Sequence, residues 1–384
     1  MRMLRRSLRR AAVAAALALP PLAACGGDGG GRVVGPPLYA PILIGGDISA
    51  VTRLEQAGAV YRQGAGTVDA ITALRTAGSN IFRLRLFVAP DGSEVQVNDL
   101  AYTIALAQRV KASGAALMLD FHYSDTWADP GKQYVPAAWA ALGIDSLETT
   151  LERYTAAVLD TMRANGVLPR YVQVGNEVDN GLCWPLGRIN APGSDDAAAY
   201  QRFGRLLRAG VRGVRAATTA ADSVRIIMHY SSGATPGAVQ WFYDLLGAQA
   251  VDYDVIGLSY YPWWHGRMSG LQQAMTLAAT RYGKPIMVVE TAYPWRAGWA
   301  PSGRIADAMQ WPETAEGQSA FVRDLIASVR AVPNGLGQGI LWWYPEAVDV
   351  PGFPVWGGGT LALFDATGYP LPAASLFRFE TGAP

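Results

Sequence analysis

Two glutamates stand at the ends of short apolar runs: Glu177 in VQVGNE (172–177) and Glu290 in VVETAYPW (288–295). A carboxylate withdrawn from water is costly unless it is paired, hydrogen-bonded or put to chemical use. Hydrolysis of a glycosidic bond is one such use. It needs two facing carboxyl groups, one protonated to release the leaving oxygen and one ionised to attack or to activate water. Repulsion between the two raises the pKa of one member, and a nearby guanidinium holds the other ionised. Arg85, in NIFRLRLF (80–87), is the expected cation. Asn176, next to Glu177, carries an amide that can donate to and accept from a sugar hydroxyl beside the breaking bond. The plainer alternative for either glutamate alone is a strand-end carboxylate that caps a helix or meets a surface Arg.

Other chemistries fit less well. His122, His229 and His265 lie on separate segments without an HExxH-like pair, which argues against a zinc site. His122 and His229 read equally as hydrogen-bonded wall residues or as contacts to a substrate hydroxyl. No GxSxG elbow supports a serine nucleophile, and GGDGGG follows no strand and opens no helix, so it is not a dinucleotide fingerprint.

The elements that must position these groups alternate. Eight short apolar runs, near residues 41, 80, 115, 171, 225, 254, 285 and 339, are separated by amphipathic stretches of helical period. Eight strand–helix units in this length predict a single-domain (β/α)8 barrel, an α/β fold, in preference to an open doubly wound sheet. Strand ends carry Asp47, Arg85, Asp120 with His122, Asn176 with Glu177, His229, Tyr260 with Tyr261, Glu290, and Trp342 with Trp343. In a barrel these ends converge on one face, which sets the two glutamates across from each other.

Residues 1–24 read as a secretory signal: a basic head, an apolar stretch too short to span a bilayer, then small residues. LAAC (22–25) resembles a bacterial lipoprotein signal with Cys25 as the lipidated residue, and residues 25–38 read as a Gly/Pro tether before a domain over 39–384. Export to the cell envelope, periplasmic or surface, follows, with membrane contact only through the lipid and the alternative of plain secretion. Cys183 is the one thiol after Cys25, so the domain has no internal disulfide. A formal charge of +1, with acids and bases mixed, provides no basic stripe for nucleic acid. Twelve Trp and seventeen Tyr, many in clusters such as YYPWWHG and AYPWRAGW, suggest a wet cleft lined with flat rings.

Taken together, GGDISAVTRLEQAGAVYR, NIFRLRLF, DFHYSDTWADPGKQ, VQVGNEVDNGLCWP, GLSYYPWWHG, VVETAYPW, ILWWYPEAV and LALFDATGYPLPA resemble glycoside hydrolase family 53, the arabinogalactan endo-β-1,4-galactanases, across the whole body of the chain. The resemblance implies a retaining barrel hydrolase, a monomer without redox or nucleotide cofactor, acting on β-1,4-galactan. Glu177 matches the general acid/base and Glu290 the nucleophile, with Asn176 on the neighbouring hydroxyl. Arg85 and Tyr260 or Tyr261 match the groups that orient the nucleophile. Asp47, His122, Asp125, Trp127, Asp129, His229, Trp295 and Trp343 fall on cleft-wall positions, with Trp184, Trp263, Trp264 and Trp299 as looser stacking platforms. The chain departs from the family at GGDIS, at Tyr344 where an acid commonly follows the tryptophan, and at VPGFPVWGGG, where some relatives bind structural Ca²⁺. A related endoglycanase on mannan or xylan, and a glycan-binding lipoprotein without activity, are the alternatives.

Overall fold

The computed structural model describes residues 42–193 and 196–381; the segments expected to be signal (1–24) and tether (25–38), with Cys25, lie outside them. Eight parallel strands close into a barrel: β1 Leu43–Asp47, β2 Ile81–Leu86, β3 Ala116–Phe121, β4 Tyr171–Val174, β5 Arg225–Tyr230, β6 Val255–Tyr260, β7 Ile286–Thr291 and β8 Gly337–Trp343. All eight coincide with the apolar runs expected from the sequence. Each strand leads to a helix of the outer ring, α1 Ala70–Ala77 to α8 Pro372–Thr381. Between β1 and α1 the chain adds a short helix, Val51–Gln56, and a hairpin, Tyr61–Gln63 with Gly66–Val68. No helix among the described residues is long and apolar enough to cross a membrane.

The runs are apolar on both faces because both are buried. Outward residues such as Phe82, Leu84, Leu119, Val172 and Val174 join the core between strands and helices. Inward residues Ile81, Met118, Tyr171, Ile227, Val255, Met287, Val289 and Leu341 fill the barrel as a second cluster. One step along the strands toward their C-terminal ends, the same alternation puts Asp47, Arg83, Asp120, Gln173 and His229 inside, all fully buried. The barrel is thus apolar below and polar above. β1 closes the ring between β8 and β2, with Gly45 opposite Leu341 on one side and Ile81 on the other. A Cβ on Gly45 would come within 1.8 Å of the Ile81 carbonyl oxygen, so closure there needs glycine.

Candidate active site

The Glu177 side is built by a turn. After β4, Gly175 adopts φ +85, and a Cβ there would lie 2.5 Å from Val178 Cγ1. Glu177 itself is left-handed (φ 45, ψ 57), a conformation that costs a non-glycine residue of order 1 kcal/mol and needs surrounding support. The support is present. Gln133 Nε2 donates to the carbonyls of Asn176 (2.8 Å) and Glu177 (3.1 Å), and the Glu177 amide donates to His229 Nδ1 (3.3 Å). Gln173 Nε2 also faces His229 Nδ1, at 3.0 Å. Asn176 Oδ1 also lies 3.2 Å from Nδ1, but the Glu177 backbone N–H can only donate, so Nδ1 is the bare nitrogen and the proton sits on Nε2, pointing at Ser259 Oγ, 2.8 Å away. The Ser259 hydroxyl donates in turn to Glu177 Oε1 (2.6 Å). Burial, with Arg83 and His122 nearby, holds the His229 imidazole well below its usual range and therefore neutral.

The Glu290 side is built by a bulge. Along β7 the inward residues Met287 and Val289 would send the following residue outward, toward the helices. The pairing with β6 skips one residue, however, passing from Leu258 opposite Val288 to Ser259 opposite Glu290. The skip resets the alternation and turns Glu290 inward. There Arg83 Nη2 donates to Glu290 Oε2 (2.8 Å) and the Tyr261 hydroxyl donates to Oε1 (2.8 Å). Arg83 also donates from Nε to Asp47 Oδ2 (2.9 Å), and its Nη1 lies 3.8 Å from Asp120. Burial opposes its charge, but Asp47, Glu290 and Asp120 outweigh that and keep it cationic.

One carboxyl oxygen of Glu177, one of Glu290 and a ring nitrogen of His229 all lie within 4.8 Å of one another. Both His229 nitrogens are committed to hydrogen bonds, so the pair of carboxyls is what remains for chemistry. Burial and the Glu290 charge push the Glu177 carboxyl well above its usual range, with Asp179 adding to the rise. Burial raises Glu290 as well, but Arg83 and Tyr261 oppose it by favouring the anion. The two glutamates are only 8% and 6% exposed, and both open onto a cavity of about 670 Å³. Trp127, Trp343 and Tyr344 form one aromatic group of its lining, and Tyr261, Trp264 and Trp356 another.

Residues 43–377 match the sequence model of Glycosyl hydrolase family 53. The chain belongs to this family. It is 37% identical over 310 residues to a probable arabinogalactan endo-beta-1,4-galactanase A of Aspergillus terreus, covering 78% of this chain and 84% of the relative. It is 31% identical over 386 residues to an endo-beta-1,4-galactanase of Bacillus subtilis, covering 88% and 86%. A solved fungal beta-1,4-galactanase superposes with a TM-score of 0.78 at 30% identity, over 88% of this chain and 99% of that one. Members of family 53 are retaining hydrolases, and carboxyl oxygens within 4.8 Å of each other leave less room than the roughly 6.5–9.5 Å that an inverting pair keeps for its water.

The family 53 site brings together only part of what its sequence suggested. Trp127, Asp129, Asn176, Tyr261, Trp264 and Trp343 line the cavity with the two glutamates. Asp47, His122 and His229 lie buried outside its lining: Asp47 binds Arg83 and Arg85, and His122 Nδ1 accepts from the Ala128 amide (3.0 Å). Arg85 is corrected to Arg83 as the partner of Glu290. Both point inward, but Arg83 starts one layer lower and its side chain reaches Glu290, whereas Arg85 binds Asp47 and the Tyr344 hydroxyl and stacks under Trp127 at 4.4 Å. Of the two tyrosines it is Tyr261 that meets Glu290. Tyr260 has the outward parity of Leu258, donates to the Gly266 carbonyl and stacks on Phe321, outside the cavity. Trp342 likewise faces outward, donating to the Leu361 carbonyl.

Asp125 does not reach the cavity lining; its oxygens accept from the Ala89 (3.0 Å) and Ala137 (2.8 Å) amides and hold the loop that carries Trp127. Trp295 braces the loop after β8 by donating to the Gly359 carbonyl. Trp184 stacks with Arg188, Trp263 is fully buried, and Trp299 packs on Trp356. Arg83, Gln173, Ser259 and Trp356 were not singled out from the sequence. For the first three, simple alternation back from Arg85, Gly175 and Tyr261 would have found them. Between β8 and α8 the loop carries three carboxylates, Glu346, Asp349 and Asp365, of which Glu346 accepts from the Ala50 amide (3.2 Å) and Asp365 from the Thr367 (2.8 Å) and Tyr369 (3.0 Å) amides.

Proposed function

We propose that the chain is an endo-acting retaining glycoside hydrolase that cleaves internal β-1,4-galactosidic bonds of galactan or arabinogalactan side chains. The observation that carries this reading is the approach of Glu177 and Glu290 to within 4.8 Å, with a cation on only one of them. Glu290, kept anionic by Arg83 and Tyr261, attacks the anomeric carbon, and Glu177 gives its proton to the departing oxygen. Glu177, now a base, takes a proton from water, and the hydroxide equivalent releases the sugar from Glu290 with net retention. Asn176 presents its amide to the hydroxyl beside the anomeric carbon. Its Nδ2 donates to the Ala128 carbonyl (2.8 Å), which fixes the amide before substrate arrives. The aromatic lining suits the flat faces of galactose rings, and the names of the relatives point to the same polymer.

The reaction needs no redox or nucleotide cofactor. The sequence of residues 1–25 supports export and a lipid anchor at Cys25, with the catalytic domain working as a monomer at the envelope. Incubation of the protein with linear β-1,4-galactan is expected to produce short oligosaccharides early, with the β-anomer formed first by NMR. Faster release from xylan or mannan would overturn the substrate, and binding without any shortening would overturn the enzyme. Replacing Cys25 with Ala is expected to move the protein from the membrane fraction to the soluble one.

A further inference from the structure

A second buried acid lies beside the pair and takes no part in the mechanism above. Asp179 sits in the single helical turn Val178–Asn180 that follows Glu177 and is 8% exposed. Its Oδ1 accepts from the Ser231 amide (2.9 Å) and its Oδ2 from the Ser231 hydroxyl. These partners are neutral, and a buried carboxylate held only by neutral donors is an expensive thing to keep in a fold. Ser231 belongs to the segment just after β5 and lines the cavity, so the clamp ties Asp179 to the wall of the site.

We propose that Asp179 is a positioning residue for proton transfer, whose carboxylate, locked onto Ser231 two residues from Glu177, keeps the proton on Glu177 until the leaving oxygen takes it. This rests on the acid/base role given to Glu177 above. The groups facing Glu177 are few. β6 contributes the Ser259 hydroxyl and, just past its end, Tyr261; β7 contributes Glu290; β5 contributes the neutral His229. The loop after β3 contributes Asp129, which is paired with Lys132 (3.4 Å), and the turn of Glu177 itself contributes Asp179; Glu94 and His265 line the same cavity. Arg83 is spent on Glu290, Asp47 and Asp120.

Glu290 cannot serve throughout the cycle, because it loses its charge once it is esterified to the sugar. Asp179 keeps its charge through both halves of the reaction. In the first half that charge opposes early loss of the Glu177 proton, and in the second it makes Glu177 a stronger base toward water. Burial raises Asp179 itself to about 6, so its charge is present at neutral pH and fades in mild acid.

The test is the pH dependence of kcat/KM on galactan for wild type and Asp179→Asn, whose alkaline limb reports ionisation of Glu177 in the free enzyme. The expected result is an alkaline limb moved toward acid by roughly half a pH unit or more, the scale of a lost like charge in a buried site, with the acid limb of Glu290 in place. A folded variant whose two limbs overlay those of wild type overturns the proposal. Should Asp179→Asn not fold, Ser231→Ala is read instead: it removes one donor, leaves Asp179 less ionised, and is expected to shift the same limb the same way by less. An unmoved limb there overturns the proposal equally. A wild type inactive on galactan brings down the functional reading and this proposal with it, whereas an active wild type with unmoved limbs brings down the proposal alone.

Discussion

Glu290 is turned inward by a bulge onto a guanidinium and a phenol, while Glu177 rides a left-handed turn among neighbours that are neutral or acidic. The two side chains are the same, nearly equally buried, and within reach of each other. What separates them is the position of one cation. Arg83 stabilises the anion at Glu290, and that anion, together with Asp179, disfavours a second one at Glu177. The comparison shows how a symmetric pair of acids becomes a nucleophile and a proton donor without any difference in residue type.

The asymmetry can be broken most severely at the carboxyls themselves. Glu290→Gln is expected to lower kcat/KM by ~10⁴-fold or more on every substrate, as loss of a nucleophile does. Glu177→Gln is expected to lose ~10²–10⁴-fold on galactan but much less on an aryl β-galactobioside, whose leaving group needs no proton. Equal losses for both variants on the aryl substrate would erase the distinction between the two residues.

Moving the cation comes next. Arg83→Gln leaves Glu290, Asp47 and Asp120 buried beside one another without it. The Glu290 pKa then climbs, so the acid limb of kcat/KM moves to higher pH, and thermal unfolding should reveal a loss of about 3–5 kcal/mol. Arg85→Gln, which also empties a buried position, is expected to leave the acid limb where it is, because Arg85 does not touch Glu290. Tyr261→Phe removes one hydrogen bond to the Glu290 carboxylate, worth about 1.5–3 kcal/mol for a charged acceptor, and steady-state kinetics should show a fall in kcat of the corresponding size.

The smallest effect tests the other side. The Ser259 hydroxyl favours the Glu177 anion. Ser259→Ala therefore raises the Glu177 pKa, and the alkaline limb should move to higher pH by a few tenths of a unit, opposite in sign to Asp179→Asn. A shift toward acid would show that Ser259 does something other than donate to Glu177.

Much of this was legible in the chain. Eight apolar runs marked the eight strands, because a strand covered on both faces is apolar except where its inward residues form the polar upper layer, and it stands out against amphipathic helices. Glu177 and Glu290 were conspicuous for the same reason, as charges closing such runs. Less legible were side chains whose direction depends on a neighbour. Tyr260 and Tyr261 are adjacent and alike, and only the end of β6 decides that one packs on Phe321 and the other on Glu290. Asp125 and Trp295 sit in motifs crowded with cleft residues, yet both hold loops. Asp179 carries no signal of its own, since an acid in a loop ordinarily faces water.

By itself the sequence determined the barrel, the strand ends that meet on one face, and the two glutamates that face each other there, because hydrophobic alternation and chain order are local and additive. Only the tertiary structure decided that Arg83 and not Arg85 reaches Glu290, that a skipped residue in β7 turns Glu290 inward, and that Ser231 clamps Asp179 beside Glu177. Those outcomes depend on the register between strands and on which layer of the barrel a side chain starts from. Neither is a property of any one segment.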